Sequence, residues 1–350
     1  MQLIKVGLCA FGMSGRVFHA PFLSQHPGFT ISGIVERHGN DSQNLYPEAT
    51  LYRSVERLVE SECDIIIINT PVQTHYEYCK LAIEKGKNVI VEKPFTVNAA
   101  QADELVALAE EKGVFLSVFQ NRRYDRDYLQ VKNIIEKRIL GEIKEAEIRF
   151  DRYRTTASGK KHKEDPLLPA SGALHDLGAH LIDQGVQLLG VPHQVFADVF
   201  SMKGPETAND YFEILCYYEN GMRLRVKSSV FVKEDHFAYK IHGSNGSFLQ
   251  ERSDSQEAEL VGGVVPLYTQ KWLKDLVKPD GILRYKDLND REVREELWSS
   301  PGSYMYYFQA IYEHVVFGHA LPSPGKEVVV VMEIIDAAIK SAREGRIIGL

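Results

Sequence analysis

The chain has no apolar run approaching the roughly 18 residues that a membrane span needs. Runs such as Ile65 to Ile68 and Val328 to Met332 stop after a few residues, so no bilayer crossing is expected. Positive charge is also scarce: 41 Lys and Arg stand against 48 Asp and Glu, a net charge of −7. Nothing in that balance would neutralise a phosphate backbone or an anionic membrane, so nucleic acid and membrane are not expected partners. Cysteine is limited to positions 9, 63, 79 and 216, without a Cys-x-x-Cys pair or a Cys/His cluster at zinc spacing. Buried free thiols are expected, and no metal site. No repeat recurs at 20 to 50 residues, which excludes solenoids and propellers. The opening Leu3-Ile4-Lys5-Val6-Gly7-Leu8 is too short and strand-like for a secretory core. A cytoplasmic location is expected.

What is present is an ordinary globular composition over 350 residues, enough for about two domains. Short β-branched runs alternate with helical patterns through the first 120 residues, the signature of βαβ units and a parallel sheet. Five strands are predicted: Leu3 to Leu8, Phe29 to Val35, Ile65 to Asn69, Asn88 to Val91 and Phe115 to Phe119. Helices are predicted over Thr74 to Lys85, closed by Gly86, and over Asn98 to Lys112, capped by Asn98 and ended by Gly113. This half reads as a doubly wound α/β unit.

Beyond about residue 125 the pattern changes. Glu145 to Asp151 alternates Ala146, Ile148 and Phe150 with Glu147, Arg149 and Asp151, which predicts a half-exposed antiparallel strand. Val195 to Phe200, Asp210 to Tyr218 and Met222 to Val232 predict further strands, and Asn220-Gly221 signals a two-residue hairpin. Arg223, Arg225 and Lys227 then form a basic stripe, read as a solvated or subunit-facing surface. Thr155 to Ala170 reads as a loop of lid length, carrying Lys160-Lys161-His162-Lys163. Lys326 to Glu344 predicts a final helix. The expected domains are 1–122 for a dinucleotide and 123–350, an α+β domain with an open, mostly antiparallel sheet, for substrate and oligomerisation.

Three motifs could carry chemistry. Ala10-Phe11-Gly12-Met13-Ser14-Gly15 follows the first strand and opens a helix, matching a GxGxxG dinucleotide fingerprint with Ala10 at its first glycine. Its second glycine allows the backbone to approach a pyrophosphate, and its third permits close helix–strand packing. Glu36 lies 21 residues past Gly15. It could accept bonds from ribose hydroxyls, favouring NAD, whereas Arg37 could pair with the extra phosphate of NADP. Asp176, His180 and Asp183 fall at i, i+4 and i+7, so three ionisable groups are expected on one helical ridge. Histidine can take and return a proton there while a carboxylate orients it. Metal ligation by the same three residues lacks an obvious fourth ligand. Lys93, within Glu92-Lys93-Pro94, ends the strand from Asn88 at the carboxyl edge where α/β sheets bind ligands. Its ammonium could stabilise an oxygen that gains negative charge.

Taken together, these motifs resemble the glucose–fructose oxidoreductase, inositol dehydrogenase and MocA family of NAD(P)-dependent oxidoreductases. The likeness runs nearly end to end, also taking in Asn69-Thr70-Pro71 with His75, Gln120-Asn121-Arg122-Arg123 and Ser341-Ala342-Arg343-Glu344-Gly345. Phe11 to Phe22 resembles the branch that contains NADP-dependent scyllo-inositol dehydrogenases. The resemblance implies Lys93, Asp176 and His180 as catalytic residues and a Lys93–Pro94 peptide that is often cis. It places Asn69, Thr70, Pro71, His75, Glu92 and Asn121 around the cofactor. It also implies a polyol, cyclitol or sugar substrate, and a homodimer or homotetramer built on the second domain's sheet. The chain departs from the branch at Ala10, at Glu36-Arg37 where Ser-Arg is common, and in a lid without the usual Trp-Arg-Glu. NAD and NADP therefore both stay open. Lys93, Arg122 and Arg123 are expected to make the site locally basic.

Overall fold

A computed structural model describes residues 3–350 apart from 157, 158, 160, 235 and 270–272, and the side chains of 161 and 162. The chain divides into two compact units that are discontinuous in sequence. One comprises Met1–Asn121, Ser255–Leu273 and Ser303–Val329, and the other Arg122–Asp254, Lys274–Gly302 and Val330–Leu350.

The first unit holds a six-stranded parallel sheet: β1 (Ile4–Leu8), β2 (Phe29–Val35), β3 (Thr50–Tyr52), β4 (Ile65–Ile68), β5 (Asn88–Glu92) and β6 (Leu116–Phe119). Their order is β3-β2-β1-β4-β5-β6, that of dinucleotide-binding sheets, with the order reversing at β1. Ile65 to Ile68 are fully buried because helices cover both faces of such a sheet. The predicted helices are present as His75–Glu84 and Ala99–Lys112. The Asn98 side chain accepts the Gln101 N–H at 3.0 Å, and Gly113 ends that helix at φ 66°. The sixth strand, β3, is a three-residue edge strand, too short to show a period.

The second unit holds a nine-stranded mixed sheet. Its strands are β7 (Ile143–Arg149), β8 (Gln194–Phe200), β9 (Tyr211–Tyr217), β10 (Arg223–Ser229), β11 (Phe237–Gly243), β12 (Gly246–Glu251), β13 (Gly281–Lys286), β14 (Glu292–Leu297) and β15 (Ile348–Gly349). They lie in the order β14-β13-β12-β11-β7-β10-β9-β8-β15. The expectation of an antiparallel strand near Glu145 is corrected on one side: β7 pairs parallel with β10 and antiparallel with β11. Period-two alternation reports which face is buried and says nothing about a neighbour's direction. The Asn220-Gly221 turn is also longer than two residues, since β9 ends at Tyr217 and β10 begins at Arg223.

Leu224 and Val226 are buried, and the helix Ala179–Leu189 approaches so closely that a Cβ on Gly185 would lie 2.7 Å from Leu224 Cδ2. On the opposite face the basic stripe meets two carboxylates and an aromatic ring of neighbouring strands. Arg225 meets Glu145 at 2.9 Å, Lys227 meets Glu213 at 2.9 Å, and the Arg223 guanidinium lies 4.6 Å from the Tyr217 ring centroid. The final helix is Gly325–Glu344. Of the predicted loop Thr155 to Ala170, Ala157, Ser158 and Lys160 lie outside the described residues, while Lys161–Glu164 forms one helical turn.

Candidate active site

In the first unit, the fingerprint turn leaves the carboxyl end of β1 and is fastened to β4. Asn69 Nδ2 donates to Ala10 O at 2.8 Å, and Asn69 Oδ1 accepts the Ala10 N–H at 2.9 Å. A Cβ on Gly15 would meet Ala10 O at 2.4 Å, so only glycine permits this approach. Gly12 faces open space, with nothing within 4 Å of where its Cβ would be, and Met13 beside it is exposed. Phe11 is buried against Tyr46, edge to face at 6.0 Å.

Glu36 ends β2 with its carboxylate turned onto the following loop. It accepts Ser42 N–H at 3.1 Å, Ser42 Oγ–H at 2.9 Å and Asp41 N–H at 3.2 Å. Partial burial alone would raise its pKa, but these bonds and the Arg53 charge outweigh it and lower the value. Arg37 is exposed. His75, buried, clasps two strand ends. Nε2 faces Thr70 O at 2.8 Å and Nδ1 faces Pro94 O at 2.9 Å, while burial lowers its pKa in spite of these acceptors. Pro71 O accepts the Thr74 hydroxyl at 2.8 Å, and Asn121 is buried just beyond β6. The Lys93–Pro94 peptide is cis, and Lys93 is half-buried immediately after β5. Beside it, Glu92 Oε1 accepts Ser14 Oγ–H at 2.5 Å and lies 2.9 Å from His19 Nε2, while Glu92 Oε2 accepts the Lys93 N–H at 3.2 Å.

In the second unit, a π turn over Leu174–Gly178 leads into the helix Ala179–Leu189. Asp176 accepts Lys163 Nζ at 2.7 Å, and His180 is buried one turn later. The expectation of three groups on one ridge fails at Asp183. Its carboxylate is buried in a two-pronged pair with Arg123, at 2.6 Å and 2.8 Å, so it is committed to holding the unit together. Arg122 is similarly occupied, donating to Asp125 at 3.1 Å with its guanidinium 4.8 Å from the Phe150 ring centroid. The two arginines expected to make the site basic are therefore engaged by buried aspartates, of which Asp125 has its pKa pushed well up by burial and by Asp254. Among the described residues no three or more His, Cys, Asp or Glu side chains are grouped to hold a metal ion.

Residues 4–120 match the oxidoreductase family with an NAD-binding Rossmann fold, and residues 132–350 match that family's C-terminal alpha/beta domain. The chain belongs to the Gfo/Idh/MocA oxidoreductase family. It is 34% identical to scyllo-inositol 2-dehydrogenase (NADP(+)) IolW of Bacillus subtilis, over 100% of this chain and 97% of the relative. Two crystal structures provisionally described as oxidoreductases are similar throughout. One, from Bacteroides fragilis, has a TM-score of 0.88 at 40% identity and covers 100% of both chains. The other, yvaA from Bacillus subtilis, has a TM-score of 0.94 at 32% identity, covering 100% of this chain and 99% of its own. This Gfo/Idh/MocA chain is accordingly an oxidoreductase that uses NAD or NADP.

The fingerprint turn fits that cofactor. An open Gly12 and a Gly15 without room for a side chain leave the backbone of this turn free of bulk where a pyrophosphate would approach. Two participants were not legible in the sequence motifs. Lys163 sits in the basic run of the loop, which carries no signal of its partner Asp176. His19 lies in the run that resembles the scyllo-inositol branch, yet its partner Glu92 is 73 residues away.

Proposed function

We propose that the chain is a dehydrogenase acting on a secondary hydroxyl of a polyol, cyclitol or sugar, with Lys93, Asp176 and His180 as its catalytic residues. The observation that carries this reading is the state of His180. It is buried on a helix one turn after Asp176, whose carboxylate accepts a hydrogen bond from Lys163 at 2.7 Å. That environment suits a general base whose proton is taken and returned. Full-length similarity to a scyllo-inositol dehydrogenase supports the substrate class.

When bound, the nicotinamide supplies a hydride acceptor. Lys93 donates a hydrogen bond to the reacting oxygen as it gains negative charge. His180 takes the hydroxyl proton, and Asp176 supports the charge that His180 acquires. Gly12, Gly15 and Asn69 shape the pyrophosphate cradle, and His75 keeps the ends of β4 and β5 together. We place a second copy of the chain on the outer face of the nine-stranded sheet, where exposed Phe196 and Phe200 border the charge network.

Incubating the purified chain with NAD+ or NADP+ and a panel of cyclitols, polyols and sugars tests the function. Rising nicotinamide absorbance with at least one of them is expected. Turnover confined to compounds without a secondary hydroxyl would contradict it. Light scattering tests the assembly: a dimer or larger is expected, and a monomer at micromolar concentration would exclude it.

A further inference from the structure

We propose that His19 is a positioning residue of the cofactor site: through the Glu92 carboxylate it fixes Ser14, and with it the fingerprint turn, before any cofactor arrives. This rests on the oxidoreductase reading and adds to it a residue outside the motifs that carry the chemistry.

A π turn over Gly15–His19 follows the fingerprint directly. Such turns widen a helix by one residue and recur at functional sites. Here His19 is fully buried, with its ring 4.5 Å from Phe119 and 6.1 Å from Phe308 between centroids. Nδ1 has no hydrogen-bond partner among the described residues, whereas Nε2 lies 2.9 Å from Glu92 Oε1. The tautomer that carries its proton on Nε2 therefore donates to Glu92 and leaves Nδ1 as a bare acceptor. The aromatic wall blocks other orientations of the ring.

The same Glu92 oxygen accepts the Ser14 hydroxyl at 2.5 Å. Ser14 stands between Gly12 and Gly15, so its inward bond orients the peptide groups that would face a pyrophosphate. Glu92 Oε2 accepts the N–H of Lys93. One carboxylate, held by His19 from behind, therefore joins the glycine turn to the lysine-bearing strand end. Burial alone would push the Glu92 carboxyl up. The His19 and Ser14 bonds and the Lys93 charge outweigh it and hold the pKa at about 2, so the anchor is an anion throughout the working range. Donors set in advance need no reordering when the anion binds.

The test is NADH and NADPH affinity of the full chain without substrate, read by nicotinamide fluorescence. His19→Phe keeps the aromatic volume and loses the donor, while Ser14→Ala loses the hydroxyl. Each is expected to weaken binding about tenfold, the size of a lost bond to a charged group. Both act through one carboxylate, so the double variant should be no weaker than the weaker single, and His19→Gln should recover most of the loss. Single variants that bind like the parent, or losses that multiply in the double, would overturn the proposal. Should His19→Phe not fold, Ser14→Ala decides. Tenfold weaker binding with faster amide exchange over residues 10–16 supports the proposal, and parental values for both overturn it. If the parent chain binds neither cofactor, the oxidoreductase reading falls along with the proposal; if only the variants are silent, that reading stands.

Discussion

His180 is buried and Glu92 is half-buried between His19 and Ser14, and they are suited to different tasks. His180→Ala should lower kcat about a hundredfold or more, the usual contribution of a positioned base, while NAD(P)H affinity stays near parental. Steady-state rates and a fluorescence titration check this. Glu92 is marked by acid instead. Its folded pKa of about 2 lies below the ordinary 4.5, so its contribution to stability is complete above pH 4.5 and lost as pH falls toward 2. Glu92→Gln should therefore be less stable than the parent at neutral pH and equal to it near pH 2, in urea midpoints measured across that range. Lys93, Asp176 and His180 could be singled out as candidates in the sequence because strand ends and helical spacing are local. Asp183 misled because its partner Arg123 is 60 residues away, and His19 was passed over because Glu92 is 73 away. Pairings of that range depend on the whole topology.

At the scale of elements, the glycine turn and the strand alternation make separate demands. Gly15→Ala would force a Cβ to within 2.4 Å of Ala10 O, part the first helix from β1, and is expected to lower both the thermal midpoint and cofactor affinity. Gly12→Ala meets open space, so the midpoint should hold while affinity alone falls as the methyl intrudes on the pyrophosphate. Calorimetry and titration of the two variants separate fold from site. Five of the six strands of the parallel sheet were visible because buried parallel strands are continuous apolar runs. In the second unit, β9 and β10 were visible through their alternation. The outer β14, Glu-Val-Arg-Glu-Glu-Leu, has no buried residue and so shows no alternation to read. The helix Met305–Phe317 is apolar on most sides, with only the short polar stripe of Gln309 and Glu313 to mark its period.

At the scale of the molecule, the acidic balance conceals how charge is used. Arg122, Arg123, Arg225 and Lys227 all meet carboxylates, and Lys93 stands immediately after the carboxyl end of β5. The two family matches, over residues 4–120 and 132–350, cover nearly the whole chain. The central claim is that hydride leaves a carbon bearing a secondary hydroxyl, with His180 removing the proton. The most direct test uses a turned-over cyclitol or sugar deuterated at the reacting carbon. The account predicts deuterium on the nicotinamide ring of the product, a slower rate for the labelled substrate, and loss of both signals in His180→Ala. Deuterium washed into solvent, or transfer undiminished in His180→Ala, would contradict it.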